Sequence, residues 1–130
     1  MGGLRRLAYA LRFVLAAWLL TACSEEEAFV QGRVVQVTDG QTLTLLVEGG
    51  GQGEVRLAGI DAPPRGQPSG RISQQSLSAL CAEKDARVQF VGIDGRGPVI
   101  ARVWCSGVDV NAEQVRLGMA RSTTTTRTGA

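Results

Sequence analysis

Residues 30–61 read VQGRVVQVTDGQTLTLLVEGGGQGEVRLAGID, and this stretch decides the fold. Val30 to Val37 (VQGRVVQV) is rich in β-branched residues, which crowd a helix and suit a pleated strand. Asp39-Gly40 bounds it with turn residues, and Thr42 to Glu48 (TLTLLVE) follows as a second strand, so the pair reads as a hairpin. Gly49 to Gly53 (GGGQG) follows a strand with no lysine or helix start after it, so it reads as a flexible hairpin tip rather than a phosphate cradle. Glu54 to Asp61 (EVRLAGID) is a third strand.

Downstream, Pro63, Pro64 and Pro68 mark a loop. Arg71 to Lys84 then reads as a helix, with Ser73, Leu77, Leu80 and Cys81 on one face. Ala86 to Val91 and Val99 to Cys105 are two more strands around an Asp94-Gly95 turn. Asn111 reads as the cap of a short helix, with Gln114 three residues on, and Gly118 ends it. The domain is assigned to residues 30–120, and residues 121–130, with their STTTT run, to a disordered tail. The order β-β-β-α-β-β-α is mainly β with two helices. Five short antiparallel strands with a helix after the third fit a closed barrel of the OB type.

Upstream, residues 1–12 are basic, Phe13 to Leu20 are apolar, and Leu20-Thr21-Ala22-Cys23 follows. A charged start, a short apolar core and small residues before a cut site make a secretory leader over residues 1–22. Ser24 and Glu25-Glu26-Glu27 break the apolar pattern at once, which argues against a buried helix. Leu-Thr-Ala-Cys resembles the bacterial lipobox, a resemblance that implies lipidation of Cys23 and a membrane partner through the lipid anchor. Anchoring of this kind rests on acyl burial of roughly 0.8 kcal/mol per methylene, with more than one chain needed for a stable hold. Residues 23–29 then form the lipidated cysteine and an acidic tether. Ser24 after the cysteine implies an outer membrane facing the periplasm, where the organism has one.

The 130 residues leave room for one domain. The chain has no histidine, which excludes every mechanism with an imidazole base or metal ligand. Residues 1–22 carry three of the 14 basic residues and no acid, leaving 11 bases against 12 acids. Glu25 to Glu27 take three of those acids, so the domain holds 11 against 9, a net of +2 that does not announce a polyanion partner. Of three cysteines, Cys23 ends the leader, leaving Cys81 and Cys105 inside the domain.

Thr38-Asp39-Gly40-Gln41-Thr42, Val55-Arg56-Leu57-Ala58-Gly59-Ile60-Asp61-Ala62-Pro63, and Val110-Asn111 through Val115, Gly118 and Ala120 resemble the three segments that mark the staphylococcal nuclease (thermonuclease) family. Gln67, Gly70 and Ala101 fit as well, and the match runs from about Gly32 to Ala120. The resemblance implies a five-stranded OB-type barrel, here lacking the family's last long helix. It also implies hydrolysis of phosphodiester bonds in DNA and RNA with calcium. Two aspartates hold the ion, two arginines clamp the phosphate, and a glutamate is the proposed base.

Carried over residue by residue, Arg56 matches the first arginine and Asp61 one calcium aspartate, with the backbone carbonyl of Ala62 as a further oxygen. Asp39 and Thr42 match as supporting residues. Gln41 stands where the other aspartate belongs, Pro64 where the glutamate belongs, and Pro98 where the second arginine belongs. Calcium affinity follows the count of charged ligands, and Gln41 offers only a neutral oxygen. A missing general base costs about 10²–10⁴-fold. Arg96 lies two residues before Pro98, a shift of about 7 Å along one strand face. It reads either as a replacement clamp or as a solvated turn arginine. Glu54 shares a face with Arg56 and reads either as a surrogate base or as its surface ion-pair partner. The domain beyond the leader has only Phe29, Phe90 and Trp104 as aromatics. Phe90 and Trp104 sit in apolar strand patterns and read as core, which leaves little for stacking bases.

The expectation is therefore an envelope lipoprotein with an eroded active site. It acts as a binding module for a protein partner, or for phosphate or nucleic acid held weakly through Arg56. The competing readings are a calcium-dependent phosphodiesterase and a purely structural lipoprotein. In the implied fold the helix and the fifth strand pack together, so Cys81 and Cys105 are expected to form a disulfide in an oxidising compartment; the alternative is two small buried thiols.

Overall fold

Every second side chain along the strands points inward, and that alternation builds one core. The computed structural model describes residues 28–124; the leader, Cys23, the acidic residues after it and residues 125–130 lie outside the described residues. The elements run β1 (Phe29–Asp39), β2 (Thr42–Val47), β3 (Gln52–Leu57), β4 (Ile60–Asp61), α1 (Pro68–Cys81), β5 (Asp85–Ile93), β6 (Val99–Cys105), β7 (Val108–Asp109), α2 (Val110–Arg116) and β8 (Arg121–Ser122). The main sheet has the order β3-β2-β1-β5-β6-β7. Its two ends meet because β3 also pairs with β6, setting Val55 against Val99, Arg56 against Ile100 and Leu57 against Ala101. This is the closed five-stranded OB-type barrel expected from the sequence, with one departure: the closing pair is parallel. Closure leaves β3 and β6 no free edge along the paired stretch.

Leu43 and Leu45 of β2, Val55 and Leu57 of β3, Val88 of β5, and Ala101 and Val103 of β6 fill the interior at the strand period of two. Helix α1 lays Leu77 and Cys81 on this core and buries Ser73 and Gly70 on the same face. Leu77 has no solvent exposure, and removing such a side chain costs about 2–5 kcal/mol.

Several boundaries differ from the sequence reading, each for a local reason. Helix α1 spans Pro68–Cys81 rather than 71–84. Proline is at home in a first turn, where its missing N–H is not needed. The chain leaves the helix at Ala82, and Glu83 takes a positive φ of 58°. The third strand is interrupted after Leu57, where Gly59 has φ 74°. Asn111 is not the cap of α2. Asp109 is, accepting from the Ala112 N–H at 3.2 Å. Asn111 is instead buried: its Oδ1 accepts from Val103 N at 3.0 Å, and its Nδ2 donates to Ala58 O at 2.9 Å and Ala101 O at 3.1 Å. Gln114 is fully buried too, rather than a capping partner.

Secondary structure also extends beyond 30–120 at both ends. Phe29, assigned to the tether, opens β1 opposite Gln89, and its ring meets Trp104 edge-on at 5.8 Å with the Arg87 guanidinium 4.3 Å above it. Arg121 and Ser122, assigned to the tail, pair with Asp61 and Ile60, and Thr123 N donates to Gly59 O at 2.8 Å. Phe90 is 47% exposed rather than core, although it stands opposite buried Ala101; the register shift follows directly, between Phe90 and Gly92. Trp104 is half-buried.

Cys81 at the end of α1 and Cys105 at the end of β6 form a disulfide, with Cα atoms 5.3 Å apart and a sequence separation of 24. A loop of this size is expected to contribute about 3 kcal/mol by restricting the unfolded chain. Urea unfolding of the oxidised protein against the Cys81→Ala/Cys105→Ala variant should show a loss of about that size. Equal stabilities would mean the bridge does not hold the fold.

Candidate active site

The site positions gather around the β1–β2 turn because that turn has no side chain at its tip. A Cβ on Gly40 would lie 1.8 Å from Ser73 Oγ, so only glycine lets the turn rest on α1. Asp39 Oδ1 accepts from Gln41 N at 2.9 Å, closing the turn on itself. The Gln41 backbone carbonyl accepts from Leu57 N at 2.7 Å, which ties the turn to the end of β3. The Gln41 side chain then reaches the loop after β4, where its Oε1 accepts from Ala62 N at 2.7 Å. Gln41 and Ala62 are thus in contact, with Asp61 next in the chain.

Thr42 is buried opposite Arg56 across the β2–β3 pair. The Arg56 guanidinium lies 2.9 Å from the Asp94 carboxylate, with the two side chains 39% and 55% exposed. Glu54, weighed as its ion-pair partner, is exposed and lies opposite Thr44. Asp61 pairs across β4–β8 with Arg121 at 3.5 Å. Arg96 is exposed in the β5–β6 turn, which Gly97 N closes by donating to Asp94 O at 2.7 Å. Arg96 makes no ion pair with an acid of the described residues. Pro64 is exposed, and its carbonyl accepts from Gln67 N at 3.2 Å; Pro98 is half-buried and accepts from Asp94 N at 3.3 Å. Among the described residues, no three of Cys, Asp and Glu converge as a metal-binding group.

Two participants escaped the sequence reading. Asp94 read as a turn residue and Arg121 as tail, and no local pattern marks either as a partner of Arg56 or Asp61. Only the closure of β3 on β6, and the pairing of β8 with β4, bring them there. A cleft of about 420 Å³ opens beside Asp61, bounded by Pro64, Gln67, Ser69 and Arg121.

Residues 54–129 match the family described as staphylococcal nuclease homologue. The chain is 40% identical over 102 residues to an uncharacterized endonuclease of Haemophilus influenzae, covering 78% of this chain and 56% of that protein. It is 35% identical over 94 residues to an uncharacterized endonuclease of Escherichia coli, covering 72% and 61%. It is 33% identical over 120 residues to a micrococcal nuclease of Shigella flexneri, covering 85% and 68%. The chain therefore spans 56% and 61% of the lengths of the first two relatives, less than two thirds of each.

An ion pair as exposed as Arg56–Asp94 contributes about 0–1 kcal/mol. Arg56→Ala and Asp94→Ala should each lower stability by less than about 1 kcal/mol, with a coupling in the double-mutant cycle no larger than that. A loss above about 3 kcal/mol from Arg56→Ala in urea unfolding would assign this side chain to the folding core instead.

Proposed function

The chain belongs to the staphylococcal nuclease family, and from that premise we propose that it is a non-catalytic member, a nuclease-type barrel that binds without cutting. One observation carries this reading: the Gln41 Oε1 accepts from Ala62 N at 2.7 Å, at the position where the family places a calcium aspartate. That oxygen serves the fold, and it brings no charge.

The donor set does not fit a calcium ion. Calcium takes six to eight oxygens and depends on carboxylates among them. Asp61 and Asp39 are the carboxylates at the turn; Asp61 faces the Arg121 guanidinium, and Asp39 accepts from Gln41 N. Pro64 has no carboxylate to take a proton from water, and Pro98 has no cation for a developing phosphorane. Losing the base costs about 10²–10⁴-fold, and losing one preorganised donor about 10²–10³-fold. The remaining phosphate-clamp position, Arg56, is paired with Asp94.

The leader and Leu20-Thr21-Ala22-Cys23 support an anchor through lipid on Cys23 in a membrane of the cell envelope, facing the periplasm in an organism with an outer membrane. Its partners are that membrane and a phosphate-bearing or protein ligand held by the barrel. A second reading, a calcium-dependent phosphodiesterase acting on DNA and RNA, is favoured by the names of the endonuclease and micrococcal nuclease relatives.

The purified chain should cut DNA barely above background, with calcium or with chelator. Single restorations should do little, since such groups act as a unit. Gln41→Asp, Pro64→Glu and Pro98→Arg together should restore calcium-dependent cleavage, and adding Arg56→Ala should abolish it. Brisk cleavage by the unmodified chain that stops with chelator would establish the enzyme reading. Separately, radiolabelled fatty acid should enter the protein in bacteria and be lost in Cys23→Ala; equal label in the variant would refute the anchor.

A further inference from the structure

Arg56 is not the best-placed cation on this barrel for an oxyanion. A cleft of about 290 Å³ lies between β1 and the first turns of α1, lined by Gln36, Thr38, Arg65, Arg71 and Gln74 among others. Two arginines and no acid line it. Arg65 and Arg71 are both exposed, and neither makes an ion pair with an acid of the described residues.

The backbone brings both arginines to one cleft. A Cβ on Gly70 would lie 1.8 Å from the Pro64 carbonyl oxygen, so the absence of a side chain lets the loop at Pro64 press against the start of α1. Arg65 follows that contact on one side and Arg71 on the other. Gln74 is held in place by donating its Nε2 to Val37 O at 3.1 Å.

We propose that this cleft is a phosphate site distinct from the Arg56 position, taking the phosphodiester backbone of a single nucleic-acid strand. The proposal rests on the reading of the chain as a member that binds without cutting. Arginine forks match phosphate oxygens with paired, charge-assisted hydrogen bonds. No aromatic side chain lines the cleft, so bases do not stack there and recognition is indifferent to sequence. The concave site between a strand and a helix admits a strand of backbone, whereas a bilayer presents a flat face.

The test uses the full chain in non-ionic detergent with chelator and a fluorescein-labelled DNA oligonucleotide of about 12 nucleotides, within the span of one OB fold. Anisotropy titrations compare the unmodified chain, Arg65→Ala/Arg71→Ala, and Arg116→Ala as a charge control on α2. The double variant should bind at least about tenfold more weakly. Its slope of log K against log salt should fall by roughly 1–1.5, the release expected from two single-strand phosphates. Arg65→Lys/Arg71→Lys should keep most of the slope, because it retains the charge.

No binding by the unmodified chain, equal binding by the double variant, or an equal loss in Arg116→Ala overturns the proposal. Full displacement of the oligonucleotide by millimolar inorganic phosphate, or by vesicles of phosphatidylglycerol, overturns the assignment to a nucleic-acid strand. Calcium-dependent cleavage in a parallel assay would end the non-catalytic reading. It would leave the dependence on Arg65 and Arg71, measured in chelator, intact.

Discussion

The arrangement of this barrel depends on one buried amide. Gln114 has no solvent exposure, and its Nε2 donates to Gly40 O at 2.9 Å and Ser73 O at 3.1 Å while its Oε1 accepts from Ser76 Oγ at 2.6 Å. One side chain thereby joins the β1–β2 turn, α1 and α2. Ser73 Oγ extends the junction by donating to Met119 O at 2.7 Å. Each buried group left unpaired would cost about 1–3 kcal/mol, so the three elements are held as a unit. Asp39, Gln41 and Thr42 inherit their positions from this junction, and through Gln41 so do the end of β3 and the loop at Ala62.

The barrel was legible in the sequence because its signal is local. Leu43, Leu45, Val55, Leu57, Val88, Ala101 and Val103 alternate as buried strands must, and Leu77 and Cys81 mark the helix face. The contacts that position the site were less legible, since they join residues far apart. Asn111 has the composition of a cap, yet it is buried against Val103, Ala58 and Ala101, while Asp109 two residues earlier does the capping. Pro68 reads in sequence as loop punctuation, yet it is equally suited to the first helical turn it occupies. Arg121 sits beside a polar tail, and only its pairing with β4 distinguishes it.

The charges around the turn are satisfied within the chain. Arg56 faces Asp94, Asp61 faces Arg121, and the Gln41 oxygen faces a backbone N–H. In each case a group able to meet an ion or an anion in solution has a neighbour instead. Both ion pairs are solvent-exposed and therefore cheap to open. The Gln41 bond belongs to the framework of the turn, so a substitution of Gln41 would alter structure as well as charge.

The disulfide has a consequence for when it can form and break. Cys81 is 0% exposed and Cys105 1%, so neither sulfur can be approached in the folded barrel by a thiolate, which needs an unobstructed path to the bond. Exchange with soluble thiols therefore waits for the end of α1 to lift from β6. The rate of reduction by a surrounding thiol pool therefore carries the open fraction as a factor beside the reactivity of the thiol. The barrel thus protects its own cross-link kinetically, and the cross-link holds closed the gap through which it would be attacked.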